Sequence, residues 1–192
     1  MSAVEIQFAG LGGQGVILAG LTIGRGLALY ENFHVSLTQS FGPEARGSAC
    51  SVQLVVSRQP VHYPYVTQPH ILATMSQEAY RRFVPHLRPG GLLLIEEELV
   101  EPGDVPAGVR LYRVPATRLA EELGRRMVMN MVMVGFFTAM SDLLRTESAR
   151  RAVSESVPSG TEALNLAAFA KGFAHGRAQL AAVPPLSRTT AA

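Results

Sequence analysis

Apolar and polar residues alternate from Val4 to Phe8, and the run ends at glycines. From Val16 to Tyr30 the residues Val16, Ala19, Gly20, Ile23 and Leu27 recur on one helical face. This predicts a strand, a glycine turn and a helix. His34 to Gln39 alternates as a second strand, and Ala49 to Ser57 is strongly β-prone, with a Gly/Pro-marked loop between them. Ile71 to Met75 predicts a buried strand. Ser76 is placed to cap the next helix, with Glu78 in its first turn; QEAYRRFVPHL continues it until Gly90 and Gly91, and Pro85 is an earlier point for an end or kink. Leu92 to Ile95 predicts a further buried strand, EEELVEPGDVPAG a polar connector, and Arg110 to Val114 a last short strand. Pro115 opens a helix through Leu123, and Arg126 to Leu144 and Thr161 to Ala182 are expected as helices.

Strands that alternate with helices predict an α/β fold: three layers, α/β/α, with a mostly parallel Rossmann-like sheet and C-terminal helices packed on it, because each parallel strand needs a crossover. The expectation is one domain over residues 1–183 and a flexible tail over 184–192.

Composition removes several classes of function. With 47% hydrophobic residues, 17% charged residues and a net charge of +2, the chain is neither disordered nor massed with charge. Its 17 Lys and Arg are scattered among 15 Asp and Glu, so nucleic acid is not an expected partner. Lys171 is the only lysine, and the remaining positive charge is arginine, which suits bidentate pairing with carboxylates or phosphates. Cys50 stands alone, so neither an internal disulfide nor a set of thiolates for an iron–sulfur cluster or zinc is expected. The first residues, MSAVEIQFAG, lack the basic region and long apolar core of a signal peptide, and an intracellular, cytoplasmic chain is the expectation. The most membrane-like run, Val128 to Met140, contains Asn130 and is too short to span about 30 Å of hydrocarbon; it reads as a buried helix.

Gly10, Gly12 and Gly15 in GLGGQG fit G-x-G-x-x-G, a spacing that brings backbone N–H groups to a phosphate at a helix N-terminus. A tight strand-to-helix turn uses the same glycines. A dinucleotide site also wants an acid at the end of the second strand, about 20 residues on. That strand end here reads LTQS, and Glu31 precedes the strand. No Lys follows in a G-K-[ST] ending, which excludes a P-loop. A free-standing mononucleotide-binding protein stays open at this point.

The loop after the second strand packs Gly42, Pro43, Glu44, Arg46 and Gly47 into six positions. Glu44 and Arg46 either pair and stiffen it or present charge to a ligand. In α/β sheets the ligand crevice lies beyond the carboxyl ends of the strands, where both loops would emerge. Gly10, Gly12, Gly13, Gln14 and Gly15 with Gln39, Ser40, Gly42, Pro43, Glu44 and Arg46 therefore form the candidate binding site.

GLGGQGV, TQSFGPEARGSACS, Tyr63-Pro64, MSQEAY, RVPAT and NMVMVG, in that order, closely resemble the gamma subunit of 2-oxoacid:ferredoxin oxidoreductases over Val4 to Ala168, in the branch nearest the 2-oxoglutarate enzymes. Gly47-Ser48 departs from the two glycines that family members often carry. The small subunit of indolepyruvate oxidoreductase shares the glycine loop but has a different segment in place of FGPEARG. The resemblance implies a multisubunit enzyme, of the kinds acting on pyruvate, 2-oxoglutarate or 2-ketoisovalerate, that converts a 2-oxoacid and coenzyme A to acyl-CoA and carbon dioxide and reduces ferredoxin. It implies that thiamine diphosphate, magnesium and the iron–sulfur clusters lie on alpha, beta and delta subunits or their fused equivalents, with no cofactor held by this chain alone and no catalytic residue supplied by it. It also implies an assembly role and, for GLGGQG beside Arg46, a contribution to coenzyme A binding. The run MVMNMVMVGFF leads to the further expectation of an apolar surface buried by partner subunits, or by a homodimer when the chain is isolated.

Overall fold

The computed structural model describes residues 3–41 and 49–182. Six strands, β1 (Val4–Leu11), β2 (His34–Phe41), β3 (Ala49–Ser57), β4 (Ile71–Thr74), β5 (Leu92–Glu96) and β6 (Arg110–Val114), form one sheet in the order β2-β3-β1-β4-β5-β6. The pairs β1/β4, β4/β5 and β5/β6 are parallel. β3 runs antiparallel to both β1 and β2. The α/β expectation therefore holds, with one local change. Residues 42–48 are too short a connection for a helical crossover, so β2 and β3 pair as a hairpin rather than as parallel neighbours.

The helices are α1 (Val16–Tyr30), α2 (Gln77–Phe83), α3 (Ala116–Glu121), α4 (Met129–Met140), α5 (Thr146–Ser156) and α6 (Glu162–Ala182). Ser76 caps α2 as expected: its Oγ accepts from the Ala79 N–H at 3.2 Å. α2 stops at Phe83, and the chain tightens to a 3₁₀ turn over Val84–His86, since Pro85 cannot donate the next α-helical bond. The helix expected over Arg126 to Leu144 is shorter: a 3₁₀ turn at Arg126–Val128 leads into α4, and the backbone turns extended at Ser141. α5 was not among the expected helices. The expected tail lies outside the described residues.

Strand alternation sorts the core into two unequal layers. Ile6, Phe8, Val52, Leu54, Ile71 and Leu94 face α1 and α3 to α6, and the Phe8 ring meets the edge of Phe137 at 5.6 Å between centroids. On the opposite face Leu72, Leu93 and Ile95 meet Tyr80, Val84 and Leu87 of the α2 region. From Met129 to Ala139 every residue of α4 is buried. This bears out the buried-helix reading of Val128 to Met140 and corrects the expectation that the methionine-rich run is a surface for partners: from Val128 on the run lies inside the chain, between sheet and α6, and only its first residue, Met127, is exposed. No described helix is long and apolar enough to cross a membrane.

α5 is held at its start by Glu31, which follows α1. The Glu31 carboxylate accepts from Arg145 Nε at 2.9 Å and from the Arg145 backbone N–H at 3.2 Å. Burial opposes this charge, but hydrogen bonds from Ser148 and Arg145 outweigh it and hold the Glu31 carboxyl below the usual carboxylate range. A depressed acid stabilises the fold above its unfolded value of about 4.3 and loses that contribution as pH falls through the folded value. Glu31→Gln should therefore flatten the acid side of a stability-against-pH curve measured by urea midpoint, and a variant with an unchanged acid slope would refute this.

Candidate functional site

The carboxyl ends of β1, β2, β4, β5 and β6 all point to one edge of the sheet; GLGGQG, MSQEAY and RVPAT lie there and Asn130 of NMVMVG reaches it, while Tyr63-Pro64 belongs to the connection at the opposite edge, between β3 and β4. β1 ends at Leu11, the turn of Gly12, Gly13, Gln14 and Gly15 follows, and α1 starts at Val16. Gln14 folds back into this turn. Its Oε1 accepts from the Leu11 N–H at 2.7 Å, and its Nε2 donates to the Met75 carbonyl, also at 2.7 Å, which ties the turn to the end of β4. A Cβ on Gly10 would collide with Gln14 Oε1, so Gly10 is the space that Gln14 fills.

Gly15 precedes α1 with φ 73°, a left-handed conformation that glycine adopts without cost. A Cβ there would also lie 2.5 Å from Asn130 Nδ2. Asn130 is 4% exposed at the start of α4; it donates to the Gly15 carbonyl at 3.3 Å and accepts from the Met131 N–H at 3.0 Å. The GLGGQG and NMVMVG segments, 115 residues apart, thus form one unit. Gly13 has φ 97°, is exposed, and has no described residue within 4 Å of where a Cβ would stand. Among the described residues no side chain caps α1, so the turn's open side presents backbone N–H groups at the positive end of a 15-residue helix.

Gln39 and Ser40 are exposed near the end of β2. Gln39 pairs with Val52, which pairs with Phe8, and Ser40 pairs with Ser51, which pairs with Ala9. They stand two strand spacings, about 10 Å, from β1. They share its edge without touching the glycine turn. Gly42, Pro43, Glu44 and Arg46 lie outside the described residues; the flanking pairs Leu11–Ala49 and Phe41–Cys50 belong to the same edge as the turn. Cys50 itself is buried, and that burial pushes its thiol up.

Two site-building residues were not visible as such in the sequence. In the sequence Asn130 is a polar break in an apolar run and the first residue of NMVMVG, and a lone amide in such a run is itself a signal for a buried hydrogen-bonding post. Glu96 was placed in a polar connector. It is the last residue of β5, fully buried, and its carboxylate accepts from three backbone N–H groups: Glu98 at 2.9 Å, Leu99 at 2.6 Å and Thr117 at 2.9 Å. It fixes the turn after β5 to the start of α3, where RVPAT lies. Among the described residues no three His, Cys, Asp or Glu side chains gather as a metal site.

The chain matches the model of the family described as pyruvate ferredoxin/flavodoxin oxidoreductase over residues 5–175. It is 44% identical over 171 residues to the 2-oxoglutarate synthase subunit KorC of Methanocaldococcus jannaschii, covering 88% of this chain and 91% of that one. It is 33% identical over 151 residues to the ketoisovalerate oxidoreductase subunit VorA of Methanothermobacter thermautotrophicus, covering 78% of this chain but 31% of that one. The crystal structure of a keto/oxoacid ferredoxin oxidoreductase gamma subunit from Geobacter sulfurreducens superposes with a TM-score of 0.80 at 32% identity, over 91% of this chain and 99% of that one. With GLGGQG, MSQEAY and RVPAT at one sheet edge and matches that run nearly the length of the chain, the protein belongs to the pyruvate ferredoxin/flavodoxin oxidoreductase family, as a gamma-type subunit.

Proposed function

We propose that this chain is the accessory subunit of a cytoplasmic enzyme that oxidises a 2-oxoacid of the 2-oxoglutarate class: 2-oxoacid, coenzyme A and two oxidised ferredoxins give acyl-CoA, carbon dioxide, a proton and two reduced ferredoxins. Thiamine diphosphate with magnesium, held by partner alpha- and beta-type subunits, supplies the carbanion chemistry when bound. The clusters that pass electrons on need thiolates, and this chain has one cysteine. Its own part is to dock beside that centre and to orient coenzyme A.

The observation that carries this reading is the locked turn at the carboxyl edge. Gln14 and Asn130 hold Gly12 to Gly15 from two sides, while Gly13 and the uncapped start of α1 stay open. That fits a phosphate of coenzyme A approaching the helix N-terminus, and Arg46 adds a candidate cationic fork. The match to about a third of the longer ketoisovalerate enzyme chain supports docking, because there the same domain is joined to further polypeptide.

The test is Arg46→Ala in the reconstituted complex. Loss of one charge-assisted phosphate contact should raise KM for coenzyme A roughly tenfold, with kcat and subunit association preserved. Weakened association with unchanged coenzyme A dependence would leave the loop an assembly element only. Unchanged assembly and unchanged kinetics would refute both roles.

A further inference from the structure

At the opposite edge of the sheet, where β4, β5 and β6 begin, a cavity of ≈ 420 Å3 is lined by His70, Arg88, Gly91, Arg110, Ser141 and Asp142 among others. Strand register sets three of these side by side. Ile71 pairs with Leu92 and Leu92 with Arg110, so His70, Gly91 and Arg110 start adjacent strands. The α4 end supplies Ser141 from above.

The charged side chains lining this cavity are donors except for the Asp142 carboxylate. His70 Nδ1 accepts from the Glu5 N–H at 3.1 Å, so in the neutral ring the proton sits on Nε2. That Nε2 faces the Arg88 guanidinium, which has only N–H groups to offer. Two donors thus meet with no acceptor between them. Neither Arg88 nor Arg110 belongs to an ion pair among the described residues. Ser141 Oγ, in a residue 7% exposed, has no hydrogen-bond partner among the described residues. Asp142 is the only carboxylate in the lining, against two guanidiniums and an imidazole, and Glu5 beyond the ring is already occupied by Thr67 and Gln68.

We infer that this cavity binds a small oxyanion, a phosphate or short carboxylate group, held by Arg88 and Arg110, with His70 Nε2–H and Ser141 Oγ–H completing its shell. Such a ligand supplies the acceptor that the facing His70 and Arg88 lack, and its charge suits the cationic excess. Burial first, and then Arg88, hold His70 below its usual range; a bound anion reverses the second effect and so marks its own arrival.

The experiment follows the His70 ring by NMR in the full-length chain during titration with inorganic phosphate, malonate or chloride at constant ionic strength. Phosphate or malonate should shift the ring signals saturably and move the His70 titration to higher pH, while chloride does neither. A response to phosphate alone or to malonate alone identifies which oxyanion is taken. Arg110→Gln and Arg88→Gln should each weaken binding roughly tenfold or more, and Arg81→Gln, at an exposed position of α2, should leave it unchanged. Each variant's unfolding transition is recorded alongside, and Ser141→Ala gives a second, milder probe. No saturable shift with either oxyanion, an equal response to chloride, or binding that survives both arginine replacements would overturn the inference.

Discussion

Gly172→Ala should lower the stability of this chain by about 3 kcal/mol or more. α4 and α6 approach backbone to backbone: a Cβ on Gly172 would collide with the Val132 carbonyl, and one on Gly135 with the Phe169 carbonyl. Alanine in place of glycine inside a helix gains about 1 kcal/mol of propensity. That gain is overruled because the obstacle is rigid helix backbone rather than the tip of a side chain, so the two helices must separate and open gaps around Phe136 and Phe169, both buried. Gly135→Ala should behave alike. The double variant should cost clearly less than the sum, since the first replacement already breaks the close approach that the second would break. Urea denaturation measures all three. A Gly172→Ala midpoint equal to or above that of the parent would show that the helices are not packed as described.

Glu96→Ala should be comparably damaging, by about 3 kcal/mol, although it removes a charged residue from a segment that reads as a surface connector. Three backbone N–H groups lose their acceptor in a site with no exposure, and each orphaned donor costs about 1 kcal/mol or more. Glu96→Gln keeps one carbonyl oxygen and should fall between. Because Glu96 joins the turn after β5 to the start of α3, hydrogen exchange should show protection lost first over residues 97–121. An alanine variant with parental stability and exchange would contradict the role assigned to Glu96.

These two residues show what the sequence conveys and what it does not. Local periodicity named β1, α1, β3, β4, β5 and β6 because each presents one apolar face or one buried run to a single neighbour layer. It also placed Ser76 correctly, since a helix cap is a local device. α5 escaped because its buried stripe consists of Ser148, Ala149, Ala152 and Val153, small residues whose contribution depends on what packs against them. The antiparallel pairing of β2 with β3 follows from the length of the connection alone, within a sheet expected as mostly parallel. Glu96 and Asn130 act across 21 and 115 residues of chain, and no spacing rule joins such partners.

For the candidate site, the place of the glycine turn was legible in the sequence and its internal packing was not. The glycine turn does stand at the carboxyl edge, where β2 also ends. What the pattern did not reveal is that Gly10 and Gly15 are occupied in packing against Gln14 and Asn130, which leaves Gly13 and the uncapped start of α1 as the open part. The reading of the methionine-rich run as a partner surface failed because hydropathy does not distinguish a helix buried within its own chain from one buried by another.

The central claim, that the chain is a working part of a 2-oxoacid:ferredoxin oxidoreductase, is tested most directly by purifying the tagged chain from its own cells under native conditions and assaying what comes with it. Co-purifying polypeptides that contain thiamine diphosphate and show iron–sulfur absorption are expected, with dye reduction that requires both a 2-oxoacid and coenzyme A. A chain that elutes alone, supports no such reduction, and binds NAD or a mononucleotide tightly in calorimetric titration would contradict it.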